Sequence, residues 1–247
     1  MKKFLPFIIL GCALVLLFVG FTFIKKSFQP ISQSSDSTDQ PVADIKTENS
    51  PVASLTPTAD GHWLNLRIEG IKLTAKSMDY ELLYTLPDGR TQGVPGTIDL
   101  SGKDVIERKL LLGSESSGKF RYDQGVKGGT LNLKFRDANG KLTGKLTTDF
   151  KLFSTETDLQ SADSALKFTL NNNSGNTFFV VMKTFGLPAT SPGSLKSGPI
   201  GIFASDTLSH KGKVTLDGAK VYEWNGGSWQ TVDTSSSIEA GIFISTG

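Results

Sequence analysis

Sulfur and imidazole are scarce in this chain: 247 residues carry one cysteine, Cys12, and two histidines, His62 and His210. A single thiol excludes an internal disulfide in any compartment, so packing alone must hold the folded part together. Neither histidine belongs to an H-E-x-x-H or His/Cys cluster, which excludes the compact zinc signatures. Serines are abundant, yet no G-x-S-x-G elbow leads from a strand into a helix, and histidine-based nucleophilic catalysis is excluded with it. Concentrated charge is missing too. Of 26 Lys+Arg against 24 Asp+Glu, four lysines (Lys2, Lys3, Lys25, Lys26) flank one apolar run, and removing them leaves 22 basic residues against 24 acidic. The basic face that a nucleic acid requires is absent. Neither a cofactor nor a nucleic-acid partner is expected.

What is present begins with that apolar run. Phe4 to Ile24 contains no charged residue, and about 21 residues at ~1.5 Å each span ~31 Å, the hydrocarbon thickness of a bilayer. Residues 1–26 are expected to form a transmembrane anchor, with membrane lipid as the partner of the Phe4 to Ile24 helix. Lysines on both sides leave charge a weak guide to orientation. The order of anchor, Ser/Thr/Pro-rich linker and β body is that of an exported protein, so the body is placed on the extracytoplasmic side. A cleavable signal peptide has a shorter apolar stretch and a small-residue cleavage site, whereas this run ends Phe23-Ile24-Lys25-Lys26. Ile9-Leu10-Gly11-Cys12 has the form of a bacterial lipobox, making lipidation of Cys12 the alternative, although the apolar run continues well past that cysteine.

Residues 27–58 are rich in Ser, Thr, Pro, Gln and Asp, too polar to offset the entropy of ordering, and read as a flexible linker. Beyond them the rhythm changes to period two. Leu64, Leu66 and Ile68 alternate with Asn65, Arg67 and Glu69, and Leu131, Leu133 and Phe135 alternate with polar neighbours, so each run is a strand with one buried face. Asp137-Ala138-Asn139-Gly140 is a hairpin turn leading into a strand with Leu142, Leu146, Phe150 and Leu152 on one parity, and Pro87-Asp88-Gly89 is another turn. No segment after Lys26 sustains a 3.6-residue stripe. The fold expected is all-β: two Ig-like β-sandwich modules, 59–155 and 160–247, divided by the polar stretch at 154–164. One larger sandwich is the alternative. Strands of the second module are expected at 178–183, 200–203, 214–216, 221–224, 229–232 and 238–245.

Several motifs carry chemistry in other settings. Gly113 to Lys119 has the G-x-x-x-x-G-K spacing of a phosphate-cradling loop, but Phe120 stands where a magnesium-binding Ser or Thr must open a helix, so a loop joining strands is the reading. Asp79, Glu81, Glu107, Glu115 and Asp123 supply carboxylates from which a glycosidase pair would have to be drawn. Asp137-x-Asn139-Gly140 begins like a calcium loop and lacks its later ligands. The strongest candidate is Tyr222-Glu223-Trp224-Asn225-Gly226-Gly227-Ser228-Trp229. A four-residue loop sets Trp224 against Trp229; a two-residue turn sets Trp229 against Tyr222. Tyr222, Trp224 and Trp229 cluster either way, as a stabilising cross-strand group or as a stacking platform for a sugar or a protein partner.

Tyr80 to Tyr84, Gln92 to Gly96 and Leu112 to Asp123 together resemble segments of uncharacterised, singly anchored bacterial surface proteins with β-sandwich ectodomains, the likeness running from about Trp63 to Leu152. The resemblance implies outward display and no catalytic residue. It draws attention to Glu115, Lys119, Arg121 and Asp123, as either a buried salt-bridged loop or a recognition edge. The function expected is a non-enzymatic binding, adhesion or envelope-structural role toward a protein or glycan partner. The alternatives are a subunit of a membrane complex and a carboxylate-dependent envelope glycan hydrolase.

Overall fold

The computed structural model describes residues 45–173 and 175–247. The expected anchor 1–26, with Cys12, and the first part of the expected linker lie outside the described residues. Apart from a 3₁₀ turn at Thr47–Asn49, the described elements are all strands. In chain order they are β1 (Val52–Pro57), β2 (Trp63–Glu69), β3 (Ser77–Thr85), β4 (Thr91–Asp99), β5 (Val105–Leu111), β6 (Gly113–Ser116), β7 (Lys119–Tyr122), β8 (Gly128–Arg136) and β9 (Leu142–Phe153). There follow β10 (Asp158–Gln160), β11 (Leu166–Leu170), β12 (Phe179–Lys183), β13 (Leu195–Ala204), β14 (Lys211–Leu216), β15 (Lys220–Trp224), β16 (Trp229–Thr231), β17 (Ile238–Glu239) and β18 (Ile242–Thr246). No helix long and apolar enough to cross a membrane occurs among the described residues.

One nine-stranded antiparallel sheet, in the order β16-β15-β18-β13-β12-β9-β8-β3-β4, runs through the body. Two smaller sheets cover it, β1-β2-β5 and β10-β11-β14-β17, and they lie on opposite faces. The alternation along β12 settles this. Val180 and Met182 join the apolar cluster under the three-stranded layer, while Phe179 and Val181 join the cluster under the four-stranded layer. An apolar run without alternation is what a strand buried on both faces requires, and Phe178 to Met182 is such a run.

The described residues belong to one compact unit. The polar stretch expected as a boundary lies between β9 and β10, where the chain leaves the large sheet for the four-stranded layer; the sheet itself continues through the pairing of β9 with β12. The alternation read in the sequence recurs in the burial of β2, β8 and β9, whose apolar parity faces the core. Asp137 closes the β8–β9 turn by accepting the N–H groups of Asn139 (2.8 Å) and Lys141 (3.0 Å), so its carboxylate serves its own backbone.

Two expectations need correction. The linker 27–58 does not extend to its expected end: Val52–Pro57 is β1, paired along its length with β2, and Ala53 and Leu55 are fully buried. A six-residue alternation is diluted when composition is averaged over the whole polar stretch, and Pro57, at the last position of an edge strand, breaks no ladder bond that matters. The expected strand 238–245 is two strands. Ala240 N–H donates to His210 O and Gly241 O accepts from Ile202 N–H, both at 2.9 Å, so the chain steps there from the four-stranded layer to the large sheet.

Candidate functional site

The tyrosine and tryptophans of β15 and β16 are brought to one face by a four-residue loop. Asn225 Oδ1 accepts the N–H groups of Gly227 (3.0 Å) and Ser228 (2.9 Å), an Asx-type closure, and Gly226 takes a positive φ of 92°. Trp224 therefore stands in register with Trp229, and Tyr222 with Thr231. The indoles meet edge to face, 5.4 Å between centroids and 62° between planes, an arrangement favoured by the ring quadrupoles. Trp229 Nε1–H donates to Ala189 O at 3.1 Å. The neighbouring Glu223 faces the opposite side of the sheet, where burial and the nearby Glu239 push its carboxyl up.

That hydrogen bond ties the aromatic hairpin to a strap, residues 185–194, that crosses this face of the sheet between β12 and β13. The strap opens on a tight three-residue turn in which Gly186 N–H donates to Thr184 O (2.9 Å) around Phe185 at φ 66°. A bulky side chain at positive φ costs of the order of 1–3 kcal/mol and persists where surrounding contacts dictate it. Here Gly186 N–H also reaches Pro51 O (2.9 Å), and Gly247 N–H donates to Ser194 O (3.1 Å). Between the strap, the end of the β1–β2–β5 layer and Trp224 lies a groove of about 880 Å³. Its lining includes hydroxyls of Ser50, Thr190, Ser191 and Ser194 and carboxylates of Glu48, Glu69 and Asp104. The cation in that lining, Lys72, is occupied by Glu48 O at 2.7 Å.

Of the four residues singled out on the Leu112 to Asp123 stretch, Glu115, Lys119 and Arg121 are exposed, so the buried salt-bridged loop is not formed. Asp123 has a structural partner, the Tyr84 hydroxyl, which donates to it at 2.9 Å. Burial and then this carboxylate push the Tyr84 phenol well above its ordinary value. The stretch is the β6–β7 hairpin, turning at Ser117 and Gly118, both at positive φ. The G-x-x-x-x-G-K spacing thus spans two short strands and their turn. Overlooked in the sequence were the rings between those charges. Phe120 and Tyr122 are 46% and 36% exposed; Tyr122 stacks on His62 at 3.9 Å and Trp63 meets Phe120 at 5.5 Å. The signal was there, as an alternation of aromatic and cationic residues from Lys119 to Tyr122.

The structure does not gather the five carboxylates. Asp79 is engaged by Arg136 Nε (2.8 Å) and Thr97 (2.7 Å), Glu81 accepts from Asn132 at 3.4 Å, and Glu107 pairs with Arg67 at 2.5 Å in the other layer. Asp79 and Glu81 share only a shallow depression of about 420 Å³ on the polar face of β3. His62 pairs with Asp60 at 3.2 Å and His210 with Asp206 at 2.6 Å, each within its own loop. Among the described residues no three His, Cys, Asp or Glu side chains stand close enough to hold a metal. No protein-family model, curated protein or solved structure matches the chain.

Proposed function

We propose that this is a membrane-anchored, extracytoplasmic binding protein without catalytic activity. Residues 1–26 are its anchor, two β-sandwich modules built about one shared sheet are its body, and the groove beside Trp224 receives a saccharide of the envelope. The observation that carries this reading is the composition of the groove wall: one indole, four hydroxyl side chains and three carboxylates around a space of about 880 Å³. A sugar ring has an apolar C–H face and a circumference of hydroxyls. It asks for an aromatic plane and a ring of donors and acceptors, the mixture that ligand sites of this size combine. Trp224 is also held in place before any ligand arrives, by Trp229, which is itself hydrogen-bonded to the strap. Preorganisation of that kind lowers the entropic cost of binding.

The test is a glycan array probed with the full chain in nanodiscs. Trp224→Ala is expected to lose at least tenfold in retention on whichever saccharides the parent captures. Trp229→Phe, which keeps a ring and removes the N–H to Ala189, should lose less. Equal retention by the parent and Trp224→Ala would sink the reading, and shortening of a captured oligosaccharide during incubation would replace binding by hydrolysis.

A further inference from the structure

The β6–β7 hairpin takes no part in the groove. Its alternation gives it two faces, Phe120 and Tyr122 on one, Lys119 and Arg121 on the other. The rings extend a line that begins on the β1–β2–β5 layer. Lys109 Nζ lies 4.8 Å over Trp63, Trp63 meets Phe120, Phe120 runs parallel to Tyr122 (6.2 Å, 6°), and Tyr122 covers His62. The root of the hairpin is secured without the exposed parts of these rings. Leu112 N–H donates to His62 O (2.9 Å), Asp123 N–H to Leu112 O (3.0 Å), and Tyr84 holds the Asp123 carboxylate. The exposed large apolar side chains of the described residues are Val105, Phe120, Tyr122 and Leu208, and two of these four sit side by side here. Such a patch marks an interaction surface.

We propose that this hairpin is a second binding site, one for an anionic polysaccharide, with sugar rings resting on the Trp63–Phe120–Tyr122 ledge beside Lys109 and acidic groups of the same polymer, where it passes over the hairpin edge, met by Lys119 and Arg121 on the other face. Charge complementarity selects the acid. Among the described residues no carboxylate pairs with those three cations: Glu107 is taken by Arg67, Asp123 by Tyr84, and the exposed Glu115 stands in register with Phe120, on the face away from Lys119 and Arg121. Rings beside unpaired cations suit a polymer that offers both C–H faces and negative charge, which a neutral glycan does not. A body with no net basic excess disfavours nucleic acid.

The test uses the full chain in nanodiscs against immobilised polygalacturonate, poly(glycerol phosphate), dextran, a single-stranded oligonucleotide and phosphatidylglycerol vesicles. Retention is expected on polygalacturonate, weakening as salt rises, less on poly(glycerol phosphate), which has the charge without the sugar rings, and not on dextran. Lys119→Gln with Arg121→Gln should weaken it about tenfold, the sum of two exposed charge contacts, and Lys119→Arg with Arg121→Lys should restore it. Phe120→Ser with Tyr122→Ser should abolish it at an unchanged thermal midpoint. Trp224→Ala should leave it untouched, which separates this site from the groove. The proposal is overturned if polygalacturonate is not retained, if the hairpin variants bind like the parent, or if dextran binds equally well. Stronger retention on poly(glycerol phosphate), the oligonucleotide or the vesicles than on polygalacturonate also overturns it.

Discussion

Leu55 decides whether β1 belongs to the folded body. Its side chain is fully buried in the larger apolar cluster and stands opposite Leu66 across the β1–β2 ladder. Leu55→Ala deletes three carbons, worth about 2.4 kcal/mol of transfer free energy at ~0.8 kcal/mol each. An unrelaxed cavity adds about 1 kcal/mol more, so the expected loss is about 3–4 kcal/mol. Thr56→Ala, one residue on and facing the other way, should stay within about 0.5 kcal/mol. In urea the Leu55→Ala midpoint falls with the slope unchanged, and the thermal midpoint drops by about 10 °C for a body of this size. The effect reaches the groove as well, since Val52 of the same strand lines it, and saccharide retention should weaken alongside stability. A Leu55→Ala chain as stable as Thr56→Ala would refute the packing of β1 and, with it, that wall of the groove.

Two further outcomes follow from the contacts. Glu156 is held at about 2 by the Ser154 N–H and Lys127 against the opposing effect of burial, and Asp163 is also held at about 2, where Lys183, Ser161 and the Ala165 N–H outweigh burial. Both carboxyls sit below their unfolded values, so they stabilise the fold above the ordinary carboxylate range and that contribution disappears as pH falls from about 4.5 toward 2. With 37% and 41% of their side chains exposed, solvent screening reduces each to about 1 kcal/mol. A thermal midpoint followed through that window should decline, and Lys127→Met with Lys183→Met should flatten the decline; a flat parent curve contradicts the pairing. Gly113→Ala places a methyl group against the Arg121 carbonyl oxygen at a φ of 154°, a strain of about 1–3 kcal/mol. It should disorder the β6–β7 hairpin, seen as a changed Trp63 emission, while Trp224-dependent retention persists; an unaltered emission argues against the close approach.

Period two was legible by itself. The parity of Leu64, Leu66 and Ile68, of Leu131, Leu133 and Phe135, and of Leu142 to Leu152 announces strands with one wet face, because a pleated chain sends alternate side chains to opposite sides. The Asn225 to Ser228 turn was legible for a related reason, since Asn and Gly satisfy its backbone locally. Local signals ended at β1, whose short alternation sits in polar company, and at the strap, whose course across the sheet follows from bonds to Pro51 and Trp229 far away in sequence. Alternation reports that a residue is covered and never what covers it. Only the tertiary structure decided that the two small sheets take opposite faces of one large sheet, that Trp224 borders a groove shared with Glu48 and Asp104, and that Phe120 and Tyr122 extend a line of rings from His62 and Trp63. Those juxtapositions join segments separated by tens to more than a hundred residues, and their energy lies in contacts that exist only once the sheets have packed.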